Sequence, residues 1–213
     1  MWGLDNLNVL LKPLDKQYSL ESYRPKLGMH VIKRCELIVS DLVLPYTAHQ
    51  LLDKWLNQCI TTVTDIQLMP GAERLVKHLS QNEIPMAIGS AGKKREFMAK
   101  SAHFGDLFAT GKYFRHIVHG DDQGVEKLKP EPDVFNVCNS AFNPVPDPQN
   151  VLVFEDNLIG ITAANKAGMR TVLVNDQRFY SANQWSDSGL NIDLIINSLD
   201  EFEPQLFGLP SFI

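Results

Sequence analysis

From Met69 onward, short runs of apolar residues with no polar interruption alternate with segments of helical spacing, and few architectures accommodate that alternation. Residues 84–89 form one such run, ending at Ser90. Residues 115–118 form a second, and Val151-Leu152-Val153-Phe154 is the clearest. Residues 171–174 and 194–196 supply two more. Between them, Ala72, Leu75, Val76 and Leu79 form an apolar stripe after Pro70, which suits a first helical turn. Residues 93–102, 133–142 and 159–167 also read as helices, the last closed by Gly168 as a left-handed cap. Strands apolar on both faces, each followed by a helix, predict a parallel sheet covered on both sides, an α/β Rossmann-like core.

The first third of the chain is patterned differently. Leu51, Leu52, Trp55, Leu56, Cys59, Ile60 and Val63 recur at the spacing of one helix face, and residues 31–43 suggest another amphipathic helix stopped near Pro45. No strand pattern is evident there. The expected organisation is a helical segment over residues 1–67 and an α/β core over residues 68–213.

Composition excludes some functions. A net charge of −5 offers no basic face for nucleic acid. No apolar run has the length of a membrane span, and no secretory leader is visible, so the expected location is cytoplasmic. Cys35, Cys59 and Cys138 have no metal-ligand or paired spacing and read as buried reduced thiols. His116 and His119 lack a metal partner in the sequence and read as surface or strand-end residues. The tail from Phe202 is expected to cross the sheet edge.

Three clusters fall where open parallel sheets place ligands, at the carboxyl ends of strands. Ser90-Ala91-Gly92 offers a hydroxyl and unobstructed backbone N–H groups to a phosphate, or a plain helix cap. Lys129, in Leu128-Lys129-Pro130-Glu131-Pro132-Asp133, is a cation on a loop stiffened by prolines, or a solvated lysine; Asp133 is placed to cap the next helix. Glu155-Asp156 sets two carboxylates at the end of a buried strand, where a cation such as Mg²⁺ would relieve their repulsion; alternatively Asp156 caps the following helix.

The order hydroxyl, lysine, acidic pair resembles the second to fourth motifs of the haloacid dehalogenase superfamily. Leu68-Met69-Pro70-Gly71-Ala72-Glu73, Lys129-Pro130-Glu131-Pro132-Asp133-Val134-Phe135, Ala163-Ala164-Asn165-Lys166-Ala167-Gly168-Met169 and Phe207-Gly208-Leu209-Pro210-Ser211 look like its pseudouridine-5'-monophosphatase and GS1-like branch. The resemblance implies a Mg²⁺-dependent phosphatase of small phosphorylated metabolites, working through an aspartyl-phosphate intermediate. It implies that Ser90 and the backbone of Ala91 hold the phosphoryl oxygens and that Lys129 neutralises charge. Asp156 would ligate Mg²⁺ with Glu155 behind it, and the early helices would form a cap over the substrate.

One part of the pattern is missing. The family's Asp-x-Asp-Gly nucleophile turn, carried on a central strand ahead of the cap, has no counterpart here: Asp5 is followed by Asn6-Leu7-Asn8 and Asp15 by Lys16-Gln17. Either residues 1–12 substitute poorly for that strand or the sequence is incomplete. The expectation is impaired hydrolysis, with a catalytically inactive binding protein as the alternative, and two unpaired inner sheet edges where that strand is absent. Gly89-Ser90-Ala91-Gly92 and Asn157-Leu158-Ile159 also depart from the branch's usual residues and leave the substrate open.

Overall fold

The structure is a computed structural model that describes residues 2–27, 29–176, 185 and 188–212. The chain divides into two compact units, Met1–Gln67 and Leu68–Ile213.

The first unit is helical among its described residues: α1 (Trp2–Leu11), α2 (Leu20–Tyr23), α3 (Val31–Leu42) and α4 (Ala48–Thr61). Residues 2–12 lie in α1 and the helical turn after it and therefore do not supply a substitute strand. Leu4, Leu7 and Leu11 lie on one face of α1 and are buried against Cys35 and Ile38 of α3 and Leu51, Trp55 and Cys59 of α4. Polar bonds fix the packing, with Trp55 Nε1 donating to Gly3 O at 2.8 Å and Thr62 Oγ1 to the buried Asn6 Oδ1 at 2.9 Å. Thr47 and Gln50 make a reciprocal capping box at the start of α4. Asp5 lies on α1 and Asp15 is a left-handed cap after the following turn, so neither stands at a strand end.

The second unit alternates α5 (Ala72–Gln81), β1 (Ala87–Gly89), α6 (Lys94–Ser101), β2 (His116–Val118), α7 (Asp133–Ser140), β3 (Leu152–Glu155), α8 (Leu158–Lys166), β4 (Arg170–Val174) and β5 (Leu194–Ile196). All strand pairs are parallel, and they form two sheets among the described residues, β1-β2 and β3-β4-β5.

Side chains cover both faces of the three-stranded sheet. On one face Leu75 and Leu79 of α5 and Phe202 of the tail pack on Val172, Val174 and Ile196, together with Met86, Leu152 and Phe154. On the other, Val134, Phe135 and Cys138 of α7 and Ala163 and Ala164 of α8 pack on Val118, Val153 and Ala87. The second cluster includes residues of both sheets, Ala87 and Val118 of one and Val153 of the other, so helices α7 and α8 pack on the two sheets together. The tail covers a sheet face rather than an edge, with the Phe202 ring 4.8 Å from that of Phe154; an aromatic side chain buries more area over a face than along a row of backbone groups.

All three cysteines are buried thiols, none of them in a disulfide. No helix among the described residues is long and apolar enough to cross a membrane.

Candidate phosphate-binding site

Lys129 draws the site together. Its Nζ donates to Gly89 O at the end of β1 at 2.9 Å and to Glu155 Oε1 at the end of β3 at 2.5 Å. The Phe135 ring lies 4.4 Å from the ammonium. Both charged side chains are about nine-tenths buried, with relative exposures of 11% and 10%. Ser90 follows Gly89 and Asp156 follows Glu155, so the three clusters singled out in the sequence meet around one cation. Two of its three N–H donors are committed to these oxygens, leaving one for a ligand.

Burial pushes the Glu155 carboxyl above the usual glutamate range, against the opposing pull of Lys129. The carboxylate is seated on α8 over Gly160, where a Cβ would run into Glu155 Oε2. Asn157 caps α8, its Oδ1 accepting from Gly160 N at 2.9 Å. Asp156 is thus not the cap: its Oδ1 accepts from Asn157 Nδ2 at 2.6 Å and its side chain is exposed.

Ser90 is not a helix cap either, since α6 starts at Lys94 with Lys93 at its N-cap. Ser90 Oγ accepts from Gly92 N at 3.1 Å, a local turn that leaves the hydroxyl proton free to donate elsewhere. Asp133 does not cap α7; its Oδ2 accepts from the backbone N–H groups of Glu126 and Lys127 at 3.0 and 2.8 Å and ties down the loop that carries Lys129.

Residues not anticipated from the sequence hold these loops in place. Gly120 lies where a Cβ would meet the carbonyl of Ala91 and the side chain of Leu128, and its N–H donates to Gly92 O at 3.0 Å. Asp121 Oδ1 accepts from Lys94 N at 2.8 Å. His119, at the end of β2, is buried with Nδ1 on Asp122 Oδ2 at 3.0 Å, while Asp122 Oδ2 also accepts from His119 N. The one available signal was Gly120-Asp121-Asp122 directly after a strand, a turn sequence at a carboxyl edge.

Mg²⁺ seeks oxygen ligands and is commonly held by one or two carboxylates, waters and substrate phosphate. Glu155 is paired with Lys129 and Asp156 accepts from Asn157 Nδ2, and the described residues contain no cluster of three or more potential metal ligands. The donor set does not amount to a resident metal centre.

Known proteins match this chain over most of its length. The profile of haloacid dehalogenase-like hydrolases matches residues 7–174. A probable pseudouridine-5'-phosphatase of Drosophila melanogaster is 33% identical over 96% of this chain and 85% of its own. (DL)-glycerol-3-phosphatase 2 of Arabidopsis thaliana is 42% identical over 68% of this chain and 58% of its own. The fold is shared with CbbY of Rhodobacter sphaeroides, solved with phosphate, at a TM-score of 0.72 and 20% identity, covering 94% of this chain and 88% of that one. It is shared too with β-phosphoglucomutase from Clostridium difficile, at a TM-score of 0.70 and 18% identity, covering 97% of this chain and 88% of that one. On the family match over residues 7–174 and the 33% identity over nearly the whole chain, the chain belongs to the haloacid dehalogenase-like hydrolase family.

Proposed function

We propose that this chain binds a small phosphorylated metabolite at the Lys129 site and that its phosphomonoester hydrolysis is impaired. The observation that carries the reading is the convergence on Lys129 of the ends of β1 and β3. The Ser90 hydroxyl and the Ala91 N–H would donate to phosphoryl oxygens, and the Lys129 ammonium would balance their charge in a water-poor setting that strengthens each bond. The relatives' names direct attention to pseudouridine 5'-phosphate and glycerol 3-phosphate as first candidates.

The impairment is proposed because neither early aspartate of the helical unit stands at a strand end. Hydrolysis through a phosphorylated intermediate needs a carboxylate poised against phosphorus. Asp5 and Asp15 lie on a helix and a helix cap, and neither is followed by a second aspartate two residues on. Mg²⁺ bound through Asp156 would screen phosphate charge, but its site is incomplete, so binding is the function the residues present can perform on their own.

The test is turnover of p-nitrophenyl phosphate and the two candidate esters, with and without Mg²⁺, alongside circular dichroism to establish folding. A folded chain without turnover supports impairment. Mg²⁺-dependent turnover abolished by Asp156→Asn would show a complete active site instead.

A further inference from the structure

Two backbone bonds hold the Ser90-Ala91-Gly92 loop against the turn that follows β2. Ser90 N donates to Val118 O at 2.8 Å, and Gly120 N donates to Gly92 O at 3.0 Å. The loop is thus clamped at its first and last residues by the two neighbours of a single residue, His119. The fit is close, since a Cβ on Gly120 would stand 2.4 Å from Ala91 O. Whatever rotates the peptide planes on either side of His119 therefore moves the N–H groups that would donate to a phosphoryl oxygen.

His119 is itself held by one oxygen. Asp122 Oδ2 accepts from His119 N at 2.8 Å and lies 3.0 Å from its Nδ1, and Asp122 N donates back to His119 O at 3.1 Å. Burial alone would raise the Asp122 carboxyl; the His119 N–H, the His119 ring and Lys94 of α6 outweigh it and hold the carboxyl below its usual range. An ionised carboxylate only accepts, so Nδ1 carries the ring's proton and the neutral ring presents a bare lone pair at Nε2. That atom is buried with no hydrogen-bond partner among the described residues, in a side chain whose residue is 4% exposed.

A second proton would turn the ring into a cation against the carboxylate, and charge-assisted bonds are shorter and stronger than neutral ones. The surroundings suit that cation. The Phe97 ring of α6 lies 5.2 Å away at 70°, inside the roughly 6 Å over which an aromatic ring attracts a cation. The charged groups about the turn are Asp121, which accepts from Lys94 N, Lys94 itself, and Glu96, whose carboxylate lies near Gly92. The Cys138 thiol of α7, pushed up to about 11 chiefly by burial, stays neutral across the range in which histidine titrates.

We propose that His119 is a positioning residue for the phosphate loop, and that its protonation, paired with Asp122, tightens the hold of Ser90 and Ala91 on an anion. The inference rests on the phosphate-binding reading and gives that site a pH dependence. Its sign follows from charge. The imidazolium stands between the two clamps, so a bound anion stabilises it, and by reciprocity its proton stabilises the bound anion. Affinity therefore rises as pH falls through the histidine range.

The probe is inorganic sulfate, a dianion throughout that range, titrated into the isotope-labelled whole chain between about pH 5 and about pH 8. The Ser90 and Ala91 amides and the His119 ring resonances are followed together, in the parent and in His119→Asn, whose amide can still donate to Asp122 but carries no charge. The parent should gain about fivefold more affinity towards the acid end than the variant does. Its His119 midpoint should also rise when sulfate is present. Asp122→Asn keeps an oxygen for the turn without its charge and should lower that midpoint, which gives a second reading should His119→Asn not fold. Equal pH profiles in parent and His119→Asn, or a His119 midpoint indifferent to sulfate or to Asp122→Asn, would overturn this inference and leave the binding reading standing. No sulfate-dependent shift at Ser90 or Ala91 at any pH would overturn the binding reading and this inference with it.

Discussion

Lys129 and Glu155, 26 residues apart in sequence, form a 2.5 Å ion pair at the carboxyl ends of two strands in different sheets. Desolvation of a buried charge costs more than a single surface pair returns, so such a pair persists where both partners have further support. Here Lys129 also bonds Gly89 O and Glu155 rests on Gly160.

Removing the cation alone strands a buried carboxylate. Lys129→Met is expected to destabilise the chain by about 3 kcal/mol, read by urea unfolding. Adding Glu155→Gln removes the orphaned charge, so the double variant should recover part of the loss, and simple additivity of the two substitutions would contradict the coupling.

The raised carboxyl of Glu155 gives stability a pH dependence of defined sign. The folded chain holds this proton more tightly than the unfolded chain. Its contribution is therefore fully present below the ordinary value of 4.5 and is lost as pH rises through the elevated folded value. Glu155→Gln should flatten that part of the stability profile. An unchanged profile, measured by denaturation at a series of pH values, would argue against a carboxyl perturbed by burial.

Gly160→Ala sets two effects against each other. Alanine favours a helix over glycine by about 1 kcal/mol, but a Cβ here would strike Glu155 Oε2 and the site is fully enclosed. The clash should win, with a net loss of about 2 kcal/mol. Gly92→Ala, where the nearest atom is Ser90 Oγ at 3.4 Å, should fall within about 0.5 kcal/mol of the parent. Thermal melts of the two variants test the contrast.

Val43 ends α3 in the left-handed region at φ 47° and is 81% exposed, so a β-branched residue is strained where it has little packing to lose. Val43→Gly should stabilise the helical unit by about 1 kcal/mol. A lower unfolding midpoint would contradict this account of the cap.

Burial pushes the Cys35 and Cys138 thiols up to about 11. At pH 8 the native chain should therefore show little reaction at either position with a thiol-specific chromogen, with full reaction after denaturation. Rapid labelling of native Cys138 would show that α7 opens readily from the sheet.

Much of this was legible in the sequence. The apolar spacing of Leu51, Trp55 and Cys59 located α4, and the uninterrupted run 151–154 located β3. Leu194–Ile196 was placed with its observed bounds. Helix α1 was missed because Val9-Leu10-Leu11 reads as an apolar run and hides the face formed by Leu4, Leu7 and Leu11. Ser90, Lys129 and Glu155 were found because each is a polar residue in a setting that otherwise excludes them. The roles of Gly120, Gly160 and Asp133 were not, since they depend on which distant segment folds against them. The choice of Asn157 over Asp156 as the cap could not be read either, because the two residue types cap helices about equally well.

The most direct measurement is a titration of inorganic phosphate into the isotope-labelled chain, following backbone amide resonances. The account predicts saturable shifts at Ser90 and Ala91 that disappear in Lys129→Ala, with the rest of that variant's spectrum still folded. Phosphate that leaves Ala91 unmoved, or that moves it equally without the Lys129 ammonium, would contradict it.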